Sequence, residues 1–191
     1  MLHAQNVLIS VDIETSGPTP SDYAMLSLGA CRVDRPDVSF YVELRPDRPG
    51  IDADAVKISG LDPARLRLEG LEPRQALLEF ETWLLDQVPP EGKPLFVAFN
   101  APFDWMFVAD YFHRYLGRNP FGHSALDIKA LFMGAFGVAW DQTTMAHAAQ
   151  KLGLPTRLSH HALQDARQQA ELFKALIAAS ASLLKEENLD G

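Results

Sequence analysis

Two carboxylates stand two positions apart at the end of a short apolar stretch, Val-Leu-Ile-Ser-Val-Asp-Ile-Glu-Thr at residues 7–15. The stretch is rich in β-branched residues and is typical of a buried strand. Side chains on a strand alternate between its two faces, so Asp12 and Glu14 point the same way, roughly 6–7 Å apart. Two like charges held this close repel each other unless a cation lies between them. The pair therefore predicts a cation site at the end of the first strand.

Two further carboxylates are predicted to lie on the buried faces of helices. The residues that share a helix face with Asp104 are Phe107, Val108, Tyr111 and Tyr115. Asp165 shares its face with Leu172 and Leu176 in the same way. Both acids are therefore expected on the sides of their helices that meet the core.

An unpaired buried carboxylate is costly, and it either takes up a proton or finds a partner. For any single acid that partner could be a helix cap or an arginine. Four acids at strand ends and helix starts, with no lysine or arginine beside them, favour a metal instead. Oxygen ligands alone suit Mg²⁺ or Mn²⁺ better than zinc or copper.

His160 lies five residues before Asp165, at the predicted start of the last helix. A histidine at a helix start is often a cap or a surface residue. Beside an inward acid at the mouth of a site, it is instead a candidate general base. The histidine side chain ordinarily titrates near pH 6.5, so it can take a proton from a water molecule near neutral pH.

These residues need a fold that brings distant segments together, and the pattern of elements predicts a mixed α/β domain. We predict strands at residues 7–15, 24–33, 38–44, 95–99 and 125–126, the first three forming an antiparallel meander. We predict helices at residues 73–87, 102–116, 127–136, 143–152 and 161–184, and a short helical turn at 52–59. The 191 residues, 47% of them hydrophobic, fit one domain, with residues 185–191 as a frayed tail.

Three side chains near these elements have both an ordinary and a functional interpretation. Asp127 begins a predicted helix, which favours an N-cap over a contact with the site. Trp105 and Trp140 could stack a base, as in proteins that bind single strands. For both tryptophans, packing in the core or on the surface is the favoured interpretation.

The net charge of −8 opposes binding to nucleic acid, because nucleic-acid-binding proteins usually carry a basic surface. Divalent cations bound to an acidic cluster would offset part of this charge, and a protein that holds only a strand end makes few phosphate contacts. The single cysteine, Cys31, fits a reducing compartment. We see no signal peptide and no membrane-spanning stretch, so we expect a soluble cytoplasmic protein without membrane partners.

Three motifs resemble those of the DEDD superfamily of exonucleases. They are Asp-Ile-Glu-Thr at residues 12–15, Asn-Ala-Pro-Phe-Asp at 100–104 and His-x-x-x-x-Asp at 160–165. The histidine spacing is similar to that of the DEDDh branch, which includes replicase proofreading subunits, oligoribonuclease-like enzymes and RNase T. The resemblance covers nearly the whole chain. It implies an RNase H-like fold, with a mixed five-stranded sheet flanked by helices, and 3′–5′ hydrolysis that releases nucleoside 5′-monophosphates.

The resemblance also implies roles for individual residues. The four matching metal-binding acids are Asp12, Glu14, Asp104 and Asp165, and the matching general base is His160. The residues expected beside the terminal nucleotide are Thr15, Ser16, Asn100 and Phe103. Two divalent ions about 3.5–4 Å apart, Mg²⁺ or Mn²⁺, would activate the attacking water and stabilise the leaving oxygen. Phe99 departs from the histidine or tyrosine of many relatives, and His161 competes with His160 for the role of base, although the spacing favours His160.

Two other functions are open at this stage. A catalytically idle nucleic-acid-binding module could keep the fold, although all five catalytic positions are filled. A proofreading subunit could act only with a polymerase, although no long extension follows the last predicted helix. We expect 3′ ends of single-stranded DNA or RNA as partners, without a preference between them, and a homodimer would supply basic groups from a second subunit.

Overall fold

The fold is built on a mixed five-stranded sheet, seen in a computed structural model that describes residues 5–155 and 159–187, with side chains described through residue 181. The strands are β1 Val7–Thr15, β2 Met25–Arg32, β3 Ser39–Glu43, β4 Pro94–Ala98 and β5 Ala125–Asp127. Their order across the sheet is β3-β2-β1-β4-β5. The first three strands are antiparallel, and β4 and β5 run parallel to β1. The predicted meander and sheet are confirmed.

Seven α-helices are found among the described residues. They are α1 Ala53–Ser59, α2 Pro63–Glu69, α3 Pro73–Gln87, α4 Ala101–Leu116, α5 Ile128–Phe136, α6 Met145–Lys151 and α7 Ala162–Glu187. The helix α2 was not predicted from the sequence. The helix α7 continues to Glu187, three residues beyond its predicted end at residue 184, and residues 188–191 lie outside the described part of the chain. The predicted frayed tail at residues 185–191 stays a prediction.

The two faces of β1 pack against different helices because its side chains alternate. Val7, Ile9, Val11 and Ile13 point into a core cluster that also contains residues of α3 and α4. The opposite face carries Leu8, Ser10, Asp12 and Glu14, and Leu8 packs with residues of α5 and α7. Asp12 and Glu14 therefore share the face of the sheet that α7 covers.

The first turn of α7 lies directly on β2 at Gly29. This glycine pairs with Asp12 across the antiparallel β1–β2 ladder. A Cβ atom at Gly29 would lie 2.2 Å from the backbone nitrogen of Leu163 and 2.3 Å from the carbonyl carbon of Ala162. Because a real Cβ cannot approach backbone atoms this closely, the glycine allows the start of α7 to lie beside the end of β1.

Other side chains outside the site are packed into the fold. Trp83 stacks on Phe80, and Trp105 packs edge-on against Phe96. Cys31 is a buried free thiol. Within the described ranges, no helix combines the length and the apolar character needed to cross a membrane.

Candidate active site

The predicted catalytic residues converge on one pocket of about 360 Å³ at the end of β1. β1 and β4 are parallel, so their carboxyl ends meet at the same edge of the sheet. The residues from the predicted set that line the pocket are Asp12, Glu14, Asn100, Phe103, Asp104, His160 and Asp165. They come from three parts of the chain: β1, the start of α4 and the start of α7. The structure thus brings together all five predicted catalytic side chains.

Asp104 is fixed against β1 by a hydrogen bond from the backbone. Its carboxylate accepts this bond from the N–H of Ile13 at 3.2 Å, and its residue surface is 5% exposed. The helix α4, which carries Asp104, has a proline in its first turn. Backbone N–H groups in the first turn have no acceptor within the helix, so the N–H that proline lacks does not weaken α4. The prediction that Asp104 faces inward is confirmed.

Asn100 precedes α4 in a left-handed backbone conformation, with φ of 62°. Asparagine adopts this conformation more readily than most residues do. The Asn100 N–H donates to the Asp127 carboxylate at 3.2 Å, and the same oxygen accepts a bond from the N–H of Lys129 at 2.9 Å. Asp127 is therefore the N-cap of α5, as predicted, and it also holds a pocket residue in place.

Asp165 is buried at the start of α7 and is held by the residue that precedes the two histidines. The backbone N–H and the hydroxyl of Ser159 both donate to its Oδ1, at 3.1 and 2.9 Å. The residue surface of Asp165 is 5% exposed. Its predicted inward orientation is confirmed.

The two adjacent histidines lie on different sides of the chain. His160 has a φ of 51° and lines the pocket at its exposed rim. His161 stacks on the ring of Tyr41, with the ring centroids 4.6 Å apart. The geometry therefore favours His160 over His161 as the residue that can act in the pocket.

Burial and mutual repulsion make the acids hard to ionise without a cation. The pKa of Asp12 lies well above its usual range, first because of burial and then because of the charges on Asp104, Glu14 and Asp165. Burial raises the pKa of Glu14 to about 7, with a further contribution from Asp165. Burial also raises the pKa of Asp104 to about 8, against the opposing effect of the Ile13 N–H. A bound divalent cation would reverse these shifts.

The donor atoms fit a hard divalent cation. Ligand atoms of Glu14, His160 and Asp165 lie within 4.8 Å of one another. Asp12 and Asp104 line the same pocket and add carboxylate oxygens, the ligands that Mg²⁺ and Mn²⁺ prefer. The pocket can therefore hold a divalent ion, and the exposed imidazole adjoins the same position.

Comparison with known proteins identifies the family. The profile of the RNase T family, described as exonuclease, matches residues 9–173. The chain belongs to this exonuclease family. A relative from Escherichia coli, the 3′-5′ DNA exonuclease Cap18, is 41% identical over 172 residues, which are 90% of this exonuclease and 92% of Cap18. Ribonuclease T of Baumannia cicadellinicola subsp. Homalodisca coagulata is 28% identical over 184 residues, covering 88% of this exonuclease and 82% of the relative.

The fold of the exonuclease matches that of solved DEDDh enzymes. The nuclease domain of 3′hExo, a DEDDh family member bound to rAMP, superposes with a TM-score of 0.75 at 14% identity. The match covers 93% of this chain and 94% of that domain. The RNase H-like fold, the DEDDh resemblance and the class of 3′–5′ exonuclease predicted from the sequence are confirmed.

Thr15 and Ser16 lie outside the pocket lining of the exonuclease. The Thr15 hydroxyl donates to the carbonyl oxygen of Gly17 at 2.8 Å. The Ser16 hydroxyl donates to the carbonyl oxygen of Gly50 at 2.8 Å and accepts a bond from the N–H of Ala24. Both side chains are buried and hold the loop after β1. The position of Thr15 and Ser16 beside a terminal nucleotide stays a prediction.

Gln169 is a pocket residue of the exonuclease that the sequence interpretation missed. It is 3% exposed and donates a hydrogen bond from Nε2 to Asp12 Oδ1 at 2.6 Å. The sequence contains a feature that could have predicted this contact. Gln169 lies four residues after Asp165 and therefore on the same inward face of the helix. A polar residue on that face should have indicated a partner for the acids.

The two tryptophans considered as base-stacking residues have different surroundings in the exonuclease. Trp105 packs in the core, as favoured. Trp140 lies on a short 3₁₀ turn, Trp140–Gln142, and is 62% exposed. The ammonium group of Lys129 lies 4.1 Å from the centroid of its ring.

Proposed function

We propose that this exonuclease removes nucleotides one at a time from the 3′ ends of single-stranded DNA and releases nucleoside 5′-monophosphates. The observation that supports this proposal is that four carboxylates and one histidine line a single pocket. The preference for DNA is supported by the relative Cap18, which is named a DNA exonuclease and is 41% identical over 90% of this chain.

Two divalent cations, Mg²⁺ or Mn²⁺, are the proposed cofactors. Their ligands would be Asp12, Glu14, Asp104 and Asp165, whose burial and repulsion call for positive charge. When bound, such ions stabilise the charge that develops on the phosphoryl group and on the leaving oxygen. Asp12 interacts electrostatically with the three other acids and would hold the ions together with them.

The protein residues supply positioning and proton transfer. His160, exposed at the rim beside Glu14 and Asp165, takes a proton from the attacking water. The Ile13–Asp104 and Ser159–Asp165 hydrogen bonds hold two of the acids in place before the substrate binds. Asn100 and Phe103 line the same pocket and would contact the terminal nucleotide.

RNA is the second candidate substrate. The relative named Ribonuclease T, at 28% identity, supports it, and an enzyme that holds a strand end could accept either sugar. Discrimination between the two depends on contacts to the 2′-hydroxyl. The same assay therefore tests both candidates.

The test is a panel of end-labelled DNA and RNA oligonucleotides, single-stranded and duplex, incubated with the purified chain and Mg²⁺. We expect stepwise shortening of single-stranded DNA from the 3′ end, with mononucleotide products identified by mass spectrometry. Chelator and Asp12→Ala should abolish the activity, whereas Asp37→Ala, an exposed acid in the β2–β3 turn, should retain it. Absence of degradation by the purified chain would favour an idle binding module or a polymerase-dependent subunit.

A further inference from the structure

Gln169 connects the end of β4 with the first acid of the site. It lies on α7 one turn after Asp165 and is 3% exposed. Its Oε1 accepts a hydrogen bond from the Phe99 N–H at 3.0 Å, and its Nε2 donates to Asp12 Oδ1 at 2.6 Å. Because a backbone N–H can only donate, Phe99 determines that the amide oxygen faces β4 and that the amino group faces Asp12.

A neutral amide is a suitable neighbour for an acid that binds metal. An arginine or lysine at this position would compete with the cation for the Asp12 carboxylate. The Gln169 amino group instead donates a hydrogen bond without adding a positive charge, and it engages Oδ1 alone. Hydrogen-bond partners of this kind orient metal ligands, and their loss typically costs about 10- to 100-fold in metal affinity or activity.

We propose that Gln169 is a positioning residue that fixes the rotation of the Asp12 carboxylate and ties it to the end of β4. The role extends the proposed function, on which it rests, because Asp12 is there a metal ligand. The amide is locked at both ends, so Asp12 is held ready for a cation before one arrives. A residue of the same length without the amide would leave the carboxylate free to rotate.

Gln169→Met tests this role, because methionine keeps the length of the side chain and removes both hydrogen bonds. Binding of Mn²⁺, followed by electron paramagnetic resonance, should weaken by at least about tenfold. The metal concentration for half-maximal rate should rise in parallel, while KM for an oligonucleotide at saturating metal stays unchanged. Gln164→Met, an exposed position on the same helix, is the matched control and should bind Mn²⁺ as the unmodified enzyme does.

The outcomes separate this role from the proposed function. If the unmodified enzyme does not bind Mn²⁺, the proposed function fails. If it binds Mn²⁺ and Gln169→Met binds equally tightly, the positioning role is overturned. Gln169→Asn, one methylene shorter and unable to span both partners, provides a second variant, and loss of the fold in both variants would show that Gln169 acts on the fold as a whole.

A second and independent observation concerns Trp140 and Lys129, which form an exposed pair of an aromatic ring and a cation. Trp140 is 62% exposed, and the Lys129 Nζ lies 4.1 Å from its ring centroid. Exposed Met133 follows Lys129 by one turn of α5. Proteins that hold single strands combine these two features, because every base has a π face and every linkage has a phosphate.

The pair adjoins the pocket through the backbone. One oxygen of Asp127 accepts bonds from the N–H groups of both Lys129 and Asn100, and Asn100 lines the pocket. Trp140 precedes Met145, another lining residue, by five positions. The residue that begins the helix of Lys129 thus also holds a pocket residue in place.

We infer that Trp140 and Lys129 bind the strand just upstream of its 3′-terminal nucleotide. A base stacks on the indole face opposite Lys129, and the ammonium group pairs with a phosphate. The subsite rests on the proposed single-stranded substrate. It supplies one positive charge to the phosphate backbone of the strand, although the chain as a whole is acidic. It predicts a preference for oligonucleotides over dinucleotides.

Trp140→Ala should raise KM for a DNA decamer by at least about fivefold while KM for a dinucleotide stays unchanged. Trp140→Phe should restore most of the binding. Lys129→Gln should lower the salt dependence of decamer binding by about one phosphate contact, whereas Lys151→Gln, a lysine over Phe136, should leave it unchanged. Equal KM values for Trp140→Ala and the unmodified enzyme with the decamer would overturn the subsite, whereas failure of the unmodified enzyme to bind single strands would overturn the proposed function.

Discussion

The backbone N–H of Ile13 donates a hydrogen bond to the Asp104 carboxylate at 3.2 Å, although the two residues are 91 positions apart in the sequence. Ile13 stands between Asp12 and Glu14, so this bond sets the third acid against the strand that carries the first two. The same bond opposes the rise in the pKa of Asp104 that burial causes. One backbone contact thus helps to position Asp104 and also moderates the rise in its pKa.

Asp104→Asn should lower the exonuclease rate by at least about 100-fold, more than the loss of an outer hydrogen-bond partner costs. The amide keeps an oxygen for the Ile13 N–H and removes one of several repelling charges. We therefore expect an unchanged or higher Tm in chelator, measured beside the rate. Asp110→Asn, on the same helix but bonded to Arg48 and Arg114, should keep the activity. Full activity of Asp104→Asn would contradict its role as a ligand.

The metal-free enzyme should become less stable as the pH rises. The pKa of Glu14 is raised to about 7 and that of Asp104 to about 8, whereas such acids titrate near pH 4 in an unfolded chain. The folded state therefore holds more protons between about pH 4 and pH 8, and the free energy of unfolding decreases as the pH rises through this window.

Thermal unfolding in chelator at several pH values checks this expectation. Excess Mg²⁺ should remove most of the decrease, because bound cations stabilise the ionised acids. Asp104→Asn should flatten the dependence in chelator. A Tm that rises with pH in chelator would contradict the raised pKa values of Glu14 and Asp104 in the folded enzyme.

His160→Asn should reduce turnover by about 100- to 10,000-fold, the usual contribution of a general base. Asparagine suits the left-handed backbone at this position better than alanine does, so the loop should keep its conformation. We expect unchanged Mn²⁺ affinity, and a weaker affinity would indicate that His160 is itself a ligand. His161→Phe keeps a ring on Tyr41 and removes a buried Nδ1 that has no hydrogen-bond partner among the described residues, so it should retain the activity.

Gly29→Ala should damage the active site through the start of α7. The new methyl group would meet backbone atoms of Ala162 and Leu163, which cannot move aside as a flexible side chain can. We expect a loss of about 1–3 kcal/mol in the free energy of unfolding and a fall in activity, because Asp165 moves with the helix. Gly134→Ala, inside α5 with open space around its Cβ position, should stabilise the enzyme by about 0.5–1 kcal/mol. Equal stability of both variants would contradict the close approach.

Local patterns predicted most of the elements and the five candidate catalytic residues that line one pocket, because these depend on spacing within one segment. The helix α2 was not predicted because it is seven residues long and buries only Pro63 and Leu66. Two buried residues are too few to show a helical period. The sequence feature that could have predicted α2 is the N-cap Asp62 directly before Pro63, the first residue of the helix. Short helices of this kind are defined by their caps more than by their faces.

Contacts between distant segments could not be predicted in the same way. The stack of His161 on Tyr41 of β3 decides which histidine faces the pocket, and nothing in the histidine motif specifies that partner. The hydroxyls of Thr15 and Ser16 donate to the carbonyl oxygens of Gly17 and Gly50, and nothing in the motif at residues 12–15 specifies those partners. Only the assembled sheet and its loops determine which polar groups are left for a ligand.

The order in which the chain is made gives the placement of α7 a consequence for the cell. This helix is the last element among the described residues, and it carries Asp165 and Gln169, with His160 just before it. A ribosome-bound chain that has not yet extruded this segment holds Asp12, Glu14 and Asp104 but lacks the proposed general base, His160, and the fourth proposed metal ligand, Asp165. Synthesis therefore completes the proposed site only after residues 160–169 have been made.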